Sequence, residues 1–70
     1  MNSRHEVIIF WSDEDGSFVA EVPELPGCMA DGDTYQEAVA NAEVAIQHWI
    51  DTASELGRLI PEPRGRLHYA

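Results

Sequence analysis

The 70-residue chain contains no lysine and a single cysteine. One cysteine cannot form an internal disulfide, so the disulfide-stabilised class of small secreted proteins is excluded and a reducing compartment fits. The longest unbroken apolar run covers only residues 7–11, too short for a secretory signal or for a membrane helix of about 20 apolar residues. We therefore expect a cytoplasmic chain that does not associate with membranes.

Positive charge is scarce. Four arginines oppose 13 acidic residues, which gives a net charge of −9. Twelve of the acidic residues lie within residues 5–57, where there is no Lys or Arg. Nucleic acid repels such a surface, whereas a basic protein meets it faster. The charge therefore predicts a basic protein partner and no direct contact with DNA or RNA.

A chain of this length has room for one domain, residues 1–70. The composition, 44% hydrophobic and 24% charged, is that of a globular protein. A domain this small buries only about 60% of the surface of its unfolded chain, so its core is marginal.

The first 22 residues predict a β-hairpin. Residues 5–12 are rich in β-branched and aromatic types, and apolar and polar types alternate in residues 17–22. Between them lies Asp-Glu-Asp-Gly, here called the acidic turn (residues 13–16), in which Gly16 can adopt a positive φ. Pro23 should end the second strand because it has no N–H to donate.

A second turn and a third strand are predicted next. Pro26 and Gly27 fit the central positions of a type II turn. Residues 28–31 then read as a short strand, and Gly32 ends it.

A helix of about twenty residues follows. Thr34 and Glu37 form a capping box, and Gly57 suits the position just beyond the C-terminal cap. The apolar positions recur at helical spacing: Tyr35, Ala38, Val39, Ala42, Ala45, Ile46, Trp49, Ile50, Ala53 and Leu56. With a last short strand at residues 67–70, the fold class is α+β with the order β-β-β-α-β: a three-stranded antiparallel meander, one long helix and a C-terminal strand.

The first strand is apolar on both faces. Val7, Ile9 and Trp11 share one face, and Ile8 and Phe10 share the other. One helix can cover only one of these faces, so the other predicts a partner. Self-association into a homo-oligomer, a dimer or tetramer, is the simplest such expectation.

Several short motifs, taken together, carry a resemblance to a known protein family. They are Val-Pro-Glu-Leu-Pro-Gly-Cys at residues 22–28, Gly-Asp-Thr at 32–34, Glu37-Ala38, Asn41-Ala42 and Ala45 in the helix, and Ile-Pro-Glu-Pro at 60–63. Over roughly residues 5–69 the chain resembles the HicB family of antitoxins. The resemblance implies a partial RNase H-like fold, with the last strand parallel beside the first. It also implies an antitoxin that neutralises a small basic ribonuclease toxin of the HicA type by occluding its active site.

Many members of that family also carry a C-terminal DNA-binding domain that represses their own operon. This sequence ends at Ala70, so we expect no such domain here. Two alternatives stay open: a short antitoxin, or an orphan homo-oligomer without a toxin that acts as a scaffold or small-ligand sensor.

The candidate residues fall into three groups. Expected contacts of a basic partner are Asp13, Glu14, Asp15, Glu21 and Glu24. The expected oligomer or partner face is formed by Ile8, Phe10, Trp11 and Val19. Structural roles are expected for Pro26, Gly27, Cys28, Gly32, Thr34, Glu37 and Asn41, with the Asn41 amide bonding the backbone near the Gly32 turn. The acidic turn also has a simpler interpretation, a solvated loop tip.

No catalytic constellation is recognisable. A metal-dependent nuclease needs several converging carboxylates, yet Glu6 is the only one in the first strand and residues 67–70 contain none. Cys28 has no histidine at a signature spacing, and free cysteine is usually a small buried hydrophobe. We expect no enzyme activity, no metal and no cofactor; His48 should be a surface residue and Trp49 a core residue.

Overall fold

The computed structural model of the chain describes residues 5–61. They form an α+β arrangement, as predicted: β1 (Ile8–Ser12), β2 (Ser17–Glu21), β3 (Met29–Gly32) and α1 (Tyr35–Glu55). The three strands form one antiparallel sheet in the order β1-β2-β3. The strand predicted at residues 67–70 lies outside the described residues, and so does the parallel pairing implied by an RNase H-like fold.

The β1–β2 hairpin closes at the acidic turn. Ser12 pairs with Ser17, the Gly16 N–H donates to the Ser12 carbonyl at 2.9 Å, and Gly16 has a φ of 64°. The predicted turn is therefore confirmed. β1 begins only at Ile8, three residues later than predicted, and β2 ends at Glu21, just before the Val22-Pro23 step.

The β2–β3 connection folds back on itself and supplies the core. The Cys28 N–H donates to the Leu25 carbonyl at 2.9 Å, and Gly27 has a φ of 79°. These features confirm the type II turn. A second bond, from the Val22 N–H to the Cys28 carbonyl at 3.0 Å, closes the loop. Leu25, within this loop, is completely buried.

The start of α1 is fixed by side chains. The Thr34 hydroxyl accepts from the Glu37 N–H at 3.0 Å, and the Glu37 carboxylate accepts from the Asp33 N–H at 2.9 Å. The hydroxyl bond confirms Thr34 as the N-cap. The Glu37 carboxylate bonds the amide one residue before the N-cap, whereas in a standard capping box it would bond the N-cap amide itself. The Asn41 amide donates to the Asp31 carbonyl at 2.7 Å, so it holds the helix to the end of β3.

The end of α1 is a Schellman motif. The Gly57 N–H donates to the Ser54 carbonyl at 3.2 Å and the Arg58 N–H to the Ala53 carbonyl at 2.8 Å. Gly57, with a φ of 70°, occupies the left-handed position that the motif requires. No helix within residues 5–61 is long and apolar enough to cross a membrane.

The helix covers one face of the sheet, chiefly over β3. A Cβ atom added to Gly32 would lie 2.6 Å from the Ala38 backbone nitrogen, so only glycine permits this approach. The core has two buried clusters. One contains Val22, Leu25, Cys28 and Ile46, and the other contains Ala20, Ala38 and Ala42. Because the second cluster consists of alanines, helix and sheet lie close together there.

Candidate functional site

The sheet face opposite the helix, here called the outer face, is defined by Ile8 and Phe10 of β1, Val19 of β2 and Met29 of β3. The register puts them on one side: Ile8 lies opposite Glu21, which pairs with Met29, and Phe10 lies opposite Val19. Ile8, Phe10 and Met29 are about half exposed, whereas Val19 is buried. The two-sided apolar character predicted for the first strand is therefore confirmed.

Trp11 pairs with Phe18 and lies on the other face of the sheet from Ile8 and Phe10. The prediction that Trp11 belongs to the same partner face as Ile8, Phe10 and Val19 is therefore wrong. The Trp11 ring meets the edge of Phe18, with centroids 5.1 Å apart and planes at 72°. Phe18 in turn packs against Tyr35, at 4.3 Å and 33°. Although this is the face that the helix covers, Trp11 is 52% exposed and Tyr35 is 59% exposed.

Tyr35 was missed by reasoning from the sequence, which counts it among the apolar stripe of the helix. In the structure it is the first residue of α1 and lies beyond the buried stripe. The sequence did contain a signal for this exposure. Tyr35 follows the N-cap directly, so no earlier turn of the helix lies next to its side chain.

The acidic turn is ordered by its own side chains. Asp13, Glu14 and Asp15 are all exposed. The Trp11 indole N–H donates to Asp13 Oδ1 at 2.8 Å, and the Ser12 hydroxyl hydrogen-bonds the Asp15 carboxylate at 3.0 Å. These bonds hold two of the three carboxylates, those of Asp13 and Asp15, beside residues of β1.

The other two predicted partner contacts lie at the opposite end of the hairpin. Glu21 and Glu24 are both half-buried. Glu24 accepts the Glu6 backbone N–H at 3.1 Å, so it ties the segment before β1 to the β2–β3 loop. The structure therefore does not bring the five predicted acidic contacts together into one patch.

Of the remaining predicted residues, Cys28 and Trp49 belong to the core region and His48 does not. Cys28 is buried, and desolvation raises the pKa of its thiol. Trp49 packs against the same core cluster and donates its indole N–H to the Pro26 carbonyl at 2.9 Å. His48 is exposed, as expected.

The described part of the chain offers no cluster of three or more His, Cys, Asp or Glu side chains that could hold a metal ion. A raised thiol pKa lowers the fraction of thiolate at neutral pH, which is the reactive form. The exposed features described above are the outer face, the aromatic rings of Trp11 and Tyr35, and the acidic turn.

Comparison with known proteins gives a family match and several relatives. The family model described as "HicB_like antitoxin of bacterial toxin-antitoxin system" matches residues 6–68. The UPF0150 protein Ta0767 of Thermoplasma acidophilum is 41% identical over 54 residues, which cover 77% of this chain and 78% of that protein. The UPF0150 protein ssl0259 of Synechocystis is 33% identical over 54 residues, covering 77% and 74%.

A protein of Haemophilus phage HP1, named only as an uncharacterized 14.9 kDa protein, is 40% identical over 45 residues. These cover 64% of this chain and 34% of the phage protein. No solved structure matches the chain significantly. Because the family model spans nearly the whole sequence, the chain belongs to the HicB-like antitoxins of bacterial toxin–antitoxin systems.

Proposed function

We propose that this protein is the inhibitory partner of a small basic ribonuclease toxin of the HicA type and neutralises it by occluding its active site. One observation carries the proposal beyond family membership. Within residues 5–61 twelve acidic side chains are accompanied by a single arginine, Arg58. A ribonuclease binds RNA phosphates through basic residues, and a surface of carboxylates competes for the same groups.

The proposed mechanism separates capture from retention. The negative field raises the rate of encounter with a basic protein, and this effect weakens as salt is added. Retention depends on contacts that exclude water, for which the exposed Phe10 and Trp11 are suited because aromatic anchors dominate binding energy. The inhibitor blocks the active site in a one-to-one complex, and this mechanism needs no catalysis by the inhibitor.

The first test is capture from extract of the native cell with the tagged chain, followed by mass spectrometry. We expect a small basic protein at near one-to-one stoichiometry, whose ribonuclease activity falls as this chain is added. If the chain recovers only itself at low salt, the proposed partnership is contradicted.

Matched charge variants test the role of the acidic turn. The triple variant Asp13→Asn, Glu14→Gln, Asp15→Asn removes three charges from the turn. The control removes three charges from the helix: Glu43→Gln, Asp51→Asn and Glu55→Gln. The two variants have the same net charge, so a slower association of the turn variant alone, by about tenfold at low salt, supports contact at the turn. Equal association rates of the two variants would show that the turn contributes only through the overall negative charge of the protein.

A second candidate function is favoured by the outer face. Ile8, Phe10 and Met29 are exposed apolar side chains on one face of a small sheet, with Glu21 between Ile8 and Met29, and exposed apolar side chains grouped on one face can mark a contact surface. The orphan alternative is a homo-oligomer, dimer or tetramer, whose copies cover this face for one another. Light scattering of the chain, alone and mixed with a basic ribonuclease, decides between the two functions. An oligomer whose mass does not change when the ribonuclease is added supports the orphan alternative. An oligomer that dissociates to form a complex with the ribonuclease supports the antitoxin.

A further inference from the structure

The aromatic row, formed by Trp11, Phe18 and Tyr35, crosses the sheet at the end nearest the acidic turn. It is exposed because of how the helix is placed. The close contact at Gly32 holds the first turn of α1 over β3, so the helix does not cover the same end of β1. The outer rings of the row, Trp11 and Tyr35, remain more than half exposed.

A carboxylate lies at the edge of this row. Asp13 Oδ1 accepts the Trp11 indole N–H at 2.8 Å, which fixes the acid relative to the ring. A carboxylate has about four acceptor sites on its two oxygens, so Asp13 can accept further hydrogen bonds while holding Trp11. Exposed ring faces and a carboxylate of fixed position are therefore side by side.

Residues 5–61 contain no cation that could occupy this position from within the chain. Their one arginine, Arg58, follows the C-terminal end of α1, and a helix of 21 residues is about 30 Å long. The row lies at the other end of that helix, because its member Tyr35 is the first residue of α1. Within residues 5–61, therefore, no arginine or lysine side chain is available to stack on the row.

We propose that the aromatic row, with Asp13 at its edge, binds an arginine side chain of a basic protein. A guanidinium is planar and weakly hydrated, so it stacks on the face of Trp or Tyr while its N–H groups donate to a carboxylate. A compact lysine ammonium fits this combination less well because it cannot stack. A purely apolar occupant would bury Asp13 without a compensating charge, which is costly. The inference rests on the proposed function only for the identity of the protein that supplies the arginine.

The experiment uses the whole chain and two probes, an oligoarginine peptide and an oligolysine peptide of equal length, at about 0.15 M salt to weaken nonspecific attraction. The indole N–H signals of Trp11 and Trp49 are followed by NMR and assigned with Trp11→Phe. We expect the arginine peptide to shift the Trp11 signal and to bind about fivefold more tightly than the lysine peptide. Equal binding of the two peptides, or shifts spread evenly over both signals, would overturn the proposal.

Variants locate the preference. We expect Asp13→Asn and Tyr35→Ala each to reduce the arginine preference at least about twofold. Glu55→Gln, which removes one charge at the far end of α1, should leave the preference unchanged. If Tyr35→Ala fails to fold by circular dichroism, Asp13→Asn alone decides, because it keeps the shape of the side chain. A preference that survives Asp13→Asn overturns the assignment.

Failure of this site and failure of the proposed function give different results. If a basic ribonuclease is captured and inhibited equally by the wild type and by Asp13→Asn, the function stands and the arginine site is rejected. If the arginine preference is present but no ribonuclease is inhibited, the site stands and the partner belongs to another class of basic protein.

Discussion

The two sides of this small sheet differ in how completely they are closed. On the β3 side, Leu25, Cys28 and Ile46 are buried between the β2–β3 loop and the helix, and Gly32 admits the helix backbone itself. On the β1 side, Ile8, Phe10 and Trp11 are about half exposed although all are large and apolar. The buried core contacts are therefore concentrated on the β3 side, and the exposed aromatic side chains of the sheet on the β1 side.

The physical cause is the position of one helix on a three-stranded sheet. A helix is about 10 Å wide, and three strands spaced about 4.8 Å apart are wider than that, so full coverage of the inner face requires a central position. The Gly32 contact and the Asn41 bond to the Asp31 carbonyl hold the start of the helix over β3 instead. The inner face near Trp11 is left open as a result.

The largest expected effect is the difference between Leu25→Ala and Phe10→Ser. Leu25 is fully buried, so its truncation should lower the free energy of unfolding by about 3 kcal/mol. Phe10→Ser, on the open side, should cost about 1 kcal/mol. Urea denaturation measures both, and equal losses would contradict the comparison.

The same titrations sharpen the comparison when they are repeated at several protein concentrations. A second copy covering the outer face would make the stability of the wild type depend on concentration. That dependence should then disappear in Phe10→Ser but persist in Leu25→Ala.

The next effect tests the close contact of helix and sheet. Gly32→Ala places a Cβ 2.6 Å from the Ala38 nitrogen and 2.7 Å from the Glu37 Cβ, so helix and strand must separate. We expect a loss of about 2 kcal/mol in the free energy of unfolding. Gly16→Ala is the control: its Cβ meets nothing within 4 Å, and the positive φ alone should cost about 1 kcal/mol. A smaller loss at Gly32 than at Gly16 would show that the contact is not tight.

The smallest effect concerns pH. Burial raises the pKa of the Cys28 thiol, so the folded protein holds this proton more tightly than the unfolded chain. The resulting stability is fully present below the ordinary thiol pKa, about 8.5, and is lost as pH rises through the higher folded-state value. Urea denaturation should therefore show that the free energy of unfolding falls more between pH 8 and pH 10 in the wild type than in Cys28→Ala. Parallel pH profiles of the two proteins would contradict this account.

Much of the fold follows from local chemistry, and those parts could be predicted. Thr34 and Glu37 cap the helix with bonds that span four residues or fewer. Gly16, Gly27 and Gly57 adopt the positive φ values that their turns require. Strand ends were predicted less well: β1 starts at Ile8, where its pairing with Glu21 of β2 begins. That boundary depends on the position of a second strand, which local propensity does not contain.

The sequence by itself determined the charge of the surface, the places where the chain turns, the caps of the helix and the apolar character of both faces of β1. These depend on residue type and on spacing over a few positions. Only the tertiary structure decided that the helix lies over β3, that Trp11, Phe18 and Tyr35 meet in one row, and that the predicted acidic contacts are divided between two ends of the hairpin. Those features arise from contacts between residues far apart in the chain, where packing around Gly32 determines which apolar side chains are buried and which remain exposed.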